Sequence, residues 1–191
     1  MLKLVSLLAV VAYASAGILP EFIRFPRLDG RIVGGSPTTI QQHPYQISLQ
    51  YYGSHICGGS LISENQIVTA AHCLEGRTAR TLQVRAGCTN RITSGVIVDV
   101  AEIKMNPSYD PYDMSNDIGI VTLATPVQFS DSIQPIPLAR ENPAPNTQAV
   151  TSGWGVLNEG SYGLPTELRE VTVDIVSHEQ CQKSYGNYDI T

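Results

Sequence analysis

Eight short apolar or alternating segments follow one another along the chain, with Gly, Pro, Asn or Asp between them. They are residues 45–51, 59–62, 66–69, 82–86, 96–103, 118–123, 148–154 and 168–176. Many short strands separated by turn residues are typical of all-β barrels and sandwiches. The pattern therefore predicts an all-β fold.

Two further segments indicate how the strands are organised. Residues 135–145 contain four prolines, which predicts a linker between an earlier and a later β unit. Ser177 is followed three residues later by Gln180, a capping-box pattern that predicts the start of a helix.

The N-terminal residues have the features of a secretory signal peptide. Lys3 supplies a positive charge, residues 4–13 are mostly apolar, and Ala14-Ser15-Ala16 offers a small-residue cleavage site. We expect residues 1–16 to be removed and the protein to be secreted and extracellular. No later apolar stretch approaches the ~20 residues needed to cross a bilayer, so we expect no membrane anchor.

Charge and metal-ligand spacing exclude other classes of function. The chain carries 12 basic and 17 acidic residues, a net charge of −5, and a surface of this sign repels nucleic-acid phosphates. The four cysteines include no Cys-x-x-Cys, and the four histidines have no metal-ligand spacing. We expect no nucleic-acid partner, no metal and no cofactor.

The segment 67–73 (IVTAAHC) places His72 directly before Cys73. A disulfide from Cys73 to Cys57 would close a loop of about 16 residues and fix the backbone beside His72. A catalytic base must be held in a defined position, so this arrangement suits a general base. The alternative is an ordinary surface or core histidine.

Asp117 stands at the start of an apolar segment, NDIGIVTL. Burying a carboxylate there is costly unless a strong hydrogen-bond donor compensates. An imidazole N–H of His72 would be such a donor, and the contact would fix the tautomer of the ring. The alternative is a turn or N-cap aspartate, which is the role we expect for Asp110 and Asp113.

The sequence GRIVGG at residues 30–35 offers a cleavage site between Arg31 and Ile32. Cutting there frees the α-amine of Ile32, a new cation that can be buried only against a carboxylate. The alternative is an exposed turn before a strand.

The motifs RIVGG, TAAHC, NDIGIVTL and TSGWG, in this order and at these spacings, resemble the chymotrypsin/trypsin family of serine proteases. The closest likeness is to the short-propeptide trypsin-like enzymes of insect guts, and it covers residues 32–191. It implies two antiparallel six-stranded β-barrels with the active site between them. The first barrel would occupy about residues 32–135, and an incomplete second barrel about 136–191.

The resemblance assigns roles to individual residues. His72 would be the general base and Asp117 its orienting partner. Arg31–Ile32 would be the activation bond, at the end of an activation peptide of residues 17–31.

The resemblance also bears on the cysteines. Cys57 and Cys73 would form the disulfide beside the histidine. Cys181 resembles a family cysteine whose partner lies further along the chain, and Cys88 stands where relatives commonly have serine. We expect both to be free thiols; an intermolecular bond of Cys88, or a Cys88–Cys181 pair, remains the alternative.

The nucleophilic serine of the family lies in Gly-Asp-Ser-Gly-Gly, and this pentapeptide does not occur in the 191 residues. Loss of the serine of a catalytic triad costs roughly 10⁶ in turnover. We therefore expect the chain as written to be inactive, and to be a fragment truncated before the nucleophile.

The resemblance implies a secreted serine endopeptidase zymogen that works in digestion by acyl-enzyme chemistry. Its activation site ends in Arg31, which favours cleavage after Arg or Lys. The expected partners of a monomeric enzyme are protein and peptide substrates, an activating trypsin-like protease and protein protease inhibitors. The rival hypothesis is a non-catalytic homologue that acts as a secreted binding or regulatory module.

Overall fold

The computed structural model describes residues 32–158 and 163–185. The expected signal peptide and activation peptide, with Arg31, lie outside these residues. Within them, no helix is long and apolar enough to cross a membrane. The strands are β1 (Ser36–Pro37), β2 (Gln46–Tyr51), β3 (Ser54–Leu61), β4 (Gln66–Thr69), β5 (Leu82–Ala86), β6 (Val96–Met105), β7 (Gly119–Leu123), β8 (Gln148–Gly153) and β9 (Arg169–Asp174), and helix α1 is His178–Tyr185.

Six strands close into an antiparallel barrel in the order β2-β3-β4-β7-β6-β5. Strands β5 and β7 alternate buried and partly exposed residues, as expected of strands with one face on a core. Leu49 of β2 lies opposite Val84 of β5 and Cys57 of β3, and its side chain is fully buried. The prediction of an all-β barrel is confirmed.

Strand β3 begins at Ser54, earlier than the predicted start at residue 59. The predicted segment included Gly59, and the strand continues from it through Gly58 back to Ser54. A Cβ atom on Gly59 would approach the side chains of Ile47 and Ile67 and the carbonyl oxygen of Val68 to 3.0 Å each. Glycine is therefore required by close packing across the barrel wall, not by a turn.

A second, three-stranded sheet has the order β1-β9-β8. It packs on the barrel through a small cluster of Ile40, Cys88, Trp154 and Leu168. The carbonyl oxygen of Thr89 accepts hydrogen bonds from the indole Nε1 of Trp154 (3.1 Å) and from the backbone N–H of Leu168 (2.9 Å). These contacts fix the second sheet on the loop that follows β5.

A polar contact joins the two units beside this cluster. The Nε2 atom of His43, a buried residue just before β2, is hydrogen-bonded to the carboxylate of Glu170 in β9. Strand β1 pairs with β9 at the same place, Ser36 opposite Glu170. The segment that enters the barrel is therefore held to the second sheet by backbone and side-chain contacts.

The predicted helix start is confirmed. The Oγ atom of Ser177 accepts a hydrogen bond from the backbone N–H of Gln180 at 3.1 Å. The four-proline segment 135–145 contains no strand and lies between β7 of the barrel and β8 of the second sheet.

Candidate active site

His72 lies in a short 3₁₀ turn, Ala71–Cys73, directly after β4. Ala71 and Leu74 on either side are completely buried and anchor the turn against the barrel. The hydroxyl of Thr69, the last residue of β4, donates to the carbonyl oxygen of Gly58 at 2.8 Å. These contacts anchor the backbone that carries His72 against the barrel.

A disulfide joins Cys73 of this turn to Cys57 of β3, with the two Cα atoms 6.2 Å apart. The turn is thus covalently attached to a second strand of the barrel. Movement of His72 away from the barrel is opposed by both the disulfide and the buried alanine before it.

Asp117 reaches His72 because of the barrel topology. Strands β4 and β7 are antiparallel neighbours, with Thr69 opposite Gly119. The end of β4 and the start of β7 therefore lie at the same rim, although His72 and Asp117 are 45 positions apart in sequence. Gly119 permits the close approach, since a Cβ atom there would lie 2.7 Å from Cδ1 of Leu74.

Both carboxylate oxygens of Asp117 accept hydrogen bonds from His72. Oδ1 accepts from the backbone N–H at 2.8 Å, and Oδ2 lies 2.7 Å from the ring Nδ1. A carboxylate can only accept, so Nδ1 carries the proton. In the neutral ring this leaves the lone pair on Nε2, the atom that a general base requires.

The side chains of the pair are only partly buried. The His72 side chain is 30% exposed and that of Asp117 is 15% exposed. The Sγ atom of Cys73 lies 3.4 Å from Nε2. A disulfide sulfur has no proton to donate, so this is a packing contact that leaves the Nε2 lone pair available.

The residue types of this cluster, cysteine and histidine, are also those that bind metals. The ligand-type atoms of Cys57, His72 and Cys73 lie within 4.8 Å of one another. The two sulfurs are joined in the disulfide, however, and a metal requires thiolates. With the disulfide formed, the cluster offers a metal only one ligand atom, an imidazole nitrogen of His72.

No serine hydroxyl among the residues in 32–158 and 163–185 is hydrogen-bonded to His72. The pair of His72 and Asp117 therefore has no serine partner among these residues. The chemistry that these two residues can supply is proton acceptance at Nε2, with the resulting imidazolium stabilised by the carboxylate.

Ile32 is buried, with 5% of its surface exposed, although it lies at the start of the described chain. Its backbone nitrogen donates to the carbonyl oxygen of Val156 at 3.0 Å. Its Cδ1 atom lies 3.8 Å from the position that a Cβ atom would occupy on Gly153. The residue that follows the expected activation bond is therefore held against the second sheet.

Cys88 and Cys181 are both free thiols. Cys88 is completely buried, and burial raises the pKa of its thiol to about 11, with the nearby charge of Arg85 acting in the opposite direction. A thiol with a raised pKa is a weak nucleophile at neutral pH. Cys88 therefore acts as a core residue.

Three residues with distinctive surroundings or backbone, Ser48, His55 and Asn116, were not identified from the sequence. The Oγ atom of Ser48 lies 2.7 Å from Nδ1 of His55, and burial, with a smaller contribution from the charge of Arg91, lowers the pKa of His55 to about 4. Asn116, directly before Asp117, has a left-handed backbone with φ of 55°. The only sequence feature that indicates this left-handed backbone is the asparagine itself, because Asn tolerates the conformation better than most residues.

Asp110 and Asp113 are turn residues, as expected. The Oδ1 atom of each accepts a backbone N–H two residues later, from Tyr112 and Ser115 respectively, both at 2.8 Å. Neither contacts His72.

Residues 32–191 match the family model described as Trypsin. The chain is similar to Trypsin alpha of Drosophila melanogaster, with 50% identity over 98% of this chain and 73% of that protein. It is also similar to Trypsin delta of Drosophila melanogaster, with 49% identity over 98% of this chain and 74% of that protein.

Among solved structures, the chain is similar to the scabies mite inactivated protease paralogue S-D1. The TM-score is 0.77 and the identity is 27%, over 81% of this chain and 66% of that chain. The likeness therefore extends from the sequence motifs to the arrangement of the strands.

Proposed function

The chain belongs to the trypsin family of serine proteases, and from that premise we propose that it is the base-bearing part of a secreted, zymogen-activated endopeptidase. The observation that carries the proposal is the contact of both Asp117 oxygens with His72. This contact orients the ring and leaves Nε2 as a proton acceptor on a side chain that is 30% exposed.

In the proposed reaction, Nε2 of His72 takes the proton of a serine hydroxyl as that oxygen attacks a peptide carbonyl. Asp117 stabilises the imidazolium that forms, and the same Nε2 then gives the proton to the leaving amine. An acyl-enzyme forms and is hydrolysed by water in a second round of the same proton transfers.

The serine has to come from outside the 191 residues. The sequence contains no Gly-Asp-Ser-Gly-Gly, and it spans 73% of the length of Trypsin alpha. We propose that a longer product of the same gene supplies the nucleophile, the oxyanion-hole amides and the specificity pocket.

Activation would occur by cleavage between Arg31 and Ile32. Its support is the buried position of Ile32, whose nitrogen already points into the protein toward Val156. The charged amine released by cleavage would need a carboxylate there. We propose that this carboxylate also belongs to the longer product.

Arg31 before the cleaved bond favours a trypsin-like activator and, by the same family logic, cleavage after Arg or Lys by the enzyme itself. The substrates would be dietary proteins and peptides, and protein protease inhibitors would be further partners of the monomeric enzyme. The disulfide is consistent with secretion, because disulfides persist in oxidising extracellular environments.

A second candidate function is a non-catalytic secreted module on the same fold. The observation that favours it is the structural likeness to an inactivated protease paralogue from the scabies mite. The presence of both His72 and Asp117 in hydrogen-bonding geometry favours the first candidate.

The test begins with the transcript beyond the codon for Thr191. An open frame that contains Gly-Asp-Ser-Gly-Gly is expected. The complete product, activated with immobilised trypsin that is then removed, should hydrolyse Arg and Lys peptide substrates in preference to Phe ones. His72→Ala should lower kcat by roughly 10⁶-fold.

The Arg31→Gln variant is the control, because it should remain an inactive zymogen after the same treatment. A stop codon after Thr191, together with no hydrolysis by the chain, would contradict the first candidate and favour the second.

A further inference from the structure

We propose that Asn116 is a positioning residue for the pair of His72 and Asp117. The importance of Asn116 for catalysis rests on the proposed function. Its effect on the pair of His72 and Asp117 can be measured in the 191-residue chain itself. The proposal rests on the backbone of Asn116, on its side chain and on the two-oxygen contact that follows it.

The backbone of Asn116 sets the direction in which Asp117 leaves the preceding loop. Its φ of 55° lies in the left-handed region, where Asn and Gly are tolerated and most other residues are strained. The backbone N–H of Ile118 donates to the carbonyl oxygen of Asn116 at 2.7 Å. This i→i+2 bond closes a three-residue turn with Asp117 at its centre.

The side chain of Asn116 ties this turn to the segment that follows β6. Its Nδ2 donates to the carbonyl oxygen of Ser108 at 3.1 Å. The backbone N–H of Ser108 donates to Oδ1 of Asn106 at 3.0 Å, and the backbone N–H of Asn106 donates to the carbonyl oxygen of Ile118 at 2.9 Å. The residues on both sides of Asp117 are therefore held by one short segment, 106–108.

Fixing both neighbours of Asp117 matters because its two oxygens have different partners. Oδ1 accepts from the backbone of His72 and Oδ2 from the ring. A rotation of the turn would lengthen at least one of these bonds. Loss of the Oδ2 contact would allow the ring proton to move from Nδ1 to Nε2, which removes the lone pair that a base needs.

The chain offers a matched control in Asn146. It also has a left-handed backbone, with φ of 66°, and lies in the exposed connection before β8. Its backbone N–H donates to the carbonyl oxygen of Ile175, on the side of the second sheet. Asn146→Ala therefore imposes the same backbone penalty away from His72.

The experiment compares Asn116→Ala, Asn116→Gly and Asn146→Ala in the 191-residue chain. Amide hydrogen exchange is measured at His72, whose backbone N–H is hydrogen-bonded to Oδ1 of Asp117, and at Val84 inside the barrel. The tautomer of the His72 ring is read from its ¹⁵N spectrum. Neither readout requires a nucleophile, so both are independent of whether the proposed protease activity is found.

Asn116→Ala is expected to accelerate exchange at His72 by about fivefold to tenfold, from the left-handed strain. Exchange at Val84 should be unchanged, and the ring should acquire an Nε2–H population. Asn116→Gly tolerates the backbone but lacks the amide that donates to Ser108, so it should accelerate exchange at His72 less than alanine does but measurably, and it remains informative should the alanine variant fail to fold. Asn146→Ala should leave His72 unchanged.

The proposal would be overturned by unchanged exchange and an unchanged ring in both Asn116 variants. It would also be overturned by equal acceleration at His72 and Val84, which would indicate general destabilisation. Absence of peptide hydrolysis by the longer product would contradict the proposed function and leave these readouts unaffected.

Discussion

The closed barrel and the three-stranded sheet differ in how completely their strands are covered. Each barrel strand has two partners, and Leu49, Val84 and Val121 at its centre are fully buried. In the part of the chain that the structure describes, β8 pairs with β9 alone. Val150 and Val173, on β8 and β9, are 51% and 45% exposed.

This difference explains where the candidate site gets its rigidity. His72 and Asp117 both lie on the rim of the closed barrel, and each is fixed by contacts within that unit. The second sheet supplies no group to the pair among the residues described. Among the described residues, His72 and Asp117 are therefore held in position by the barrel alone.

The largest expected difference between the two units is in the cost of removing apolar side chains. Leu49→Ala leaves a cavity in the barrel core and should lower the free energy of unfolding by about 2–5 kcal/mol. Val150→Ala, on the exposed sheet, should lower it by less than about 1 kcal/mol. Urea unfolding followed by the fluorescence of the single tryptophan, Trp154, measures both. Equal costs would refute the distinction.

The disulfide should strengthen the barrel specifically. The Cys57→Ser/Cys73→Ser double variant opens a loop with a sequence separation of 16. Its free energy of unfolding should fall by about 3 kcal/mol. Cys181→Ser is the control, because this partly exposed thiol is free and its replacement should have little effect. A double variant as stable as the wild type would show that the bridge adds no rigidity.

His55, which packs edge-on against Trp154, should make the junction between the units pH-dependent. Burial lowers its pKa from the ordinary 6.5 to about 4 in the folded state, so the unfolded chain binds more protons between these two pH values. Stability should therefore fall as the pH falls from 6.5 to 4, by at most about 3 kcal/mol. His55→Gln should remove this slope, whereas His178→Gln on α1 should keep it.

Glu170 should give a smaller effect at lower pH. Hydrogen bonds from His43, and then from Thr38, lower the pKa of its carboxyl below the ordinary 4.5. The stabilisation is therefore complete above pH 4.5 and is lost as the pH falls through the folded-state pKa. Glu170→Gln should flatten this acid limb of the stability curve, and Glu141→Gln in the connecting segment should not. An identical limb in both variants would exclude Glu170 as its source.

The barrel strands were predictable because local alternation and turn residues reflect their burial directly. Strand β5, for example, has the predicted bounds 82–86. The two-residue strand β1 was not predicted, since it contains Pro37 and exists only through pairing with Arg169 and Glu170. Its partner is more than 130 positions away, beyond the reach of any local pattern.

The site was predictable to a different extent. His72 and Asp117 were identified from motifs, but their contact depends on β4 and β7 being neighbours, which spacing alone does not specify. The proposed positioning role of Asn116 could be inferred only from its φ angle and from the hydrogen bond of its side chain to Ser108, neither of which the sequence shows. Residues that act through backbone conformation leave only a weak mark in a single sequence.

The most direct test of the claim that the barrel alone builds the pair is the ¹⁵N spectrum of the His72 ring at neutral pH. The 191-residue chain is compared with its Asp117→Asn variant. The account predicts a ring protonated at Nδ1 in the chain, with Nε2 unprotonated, and a loss of this preference in the variant. A ring that is protonated mainly at Nε2 in both proteins would contradict it.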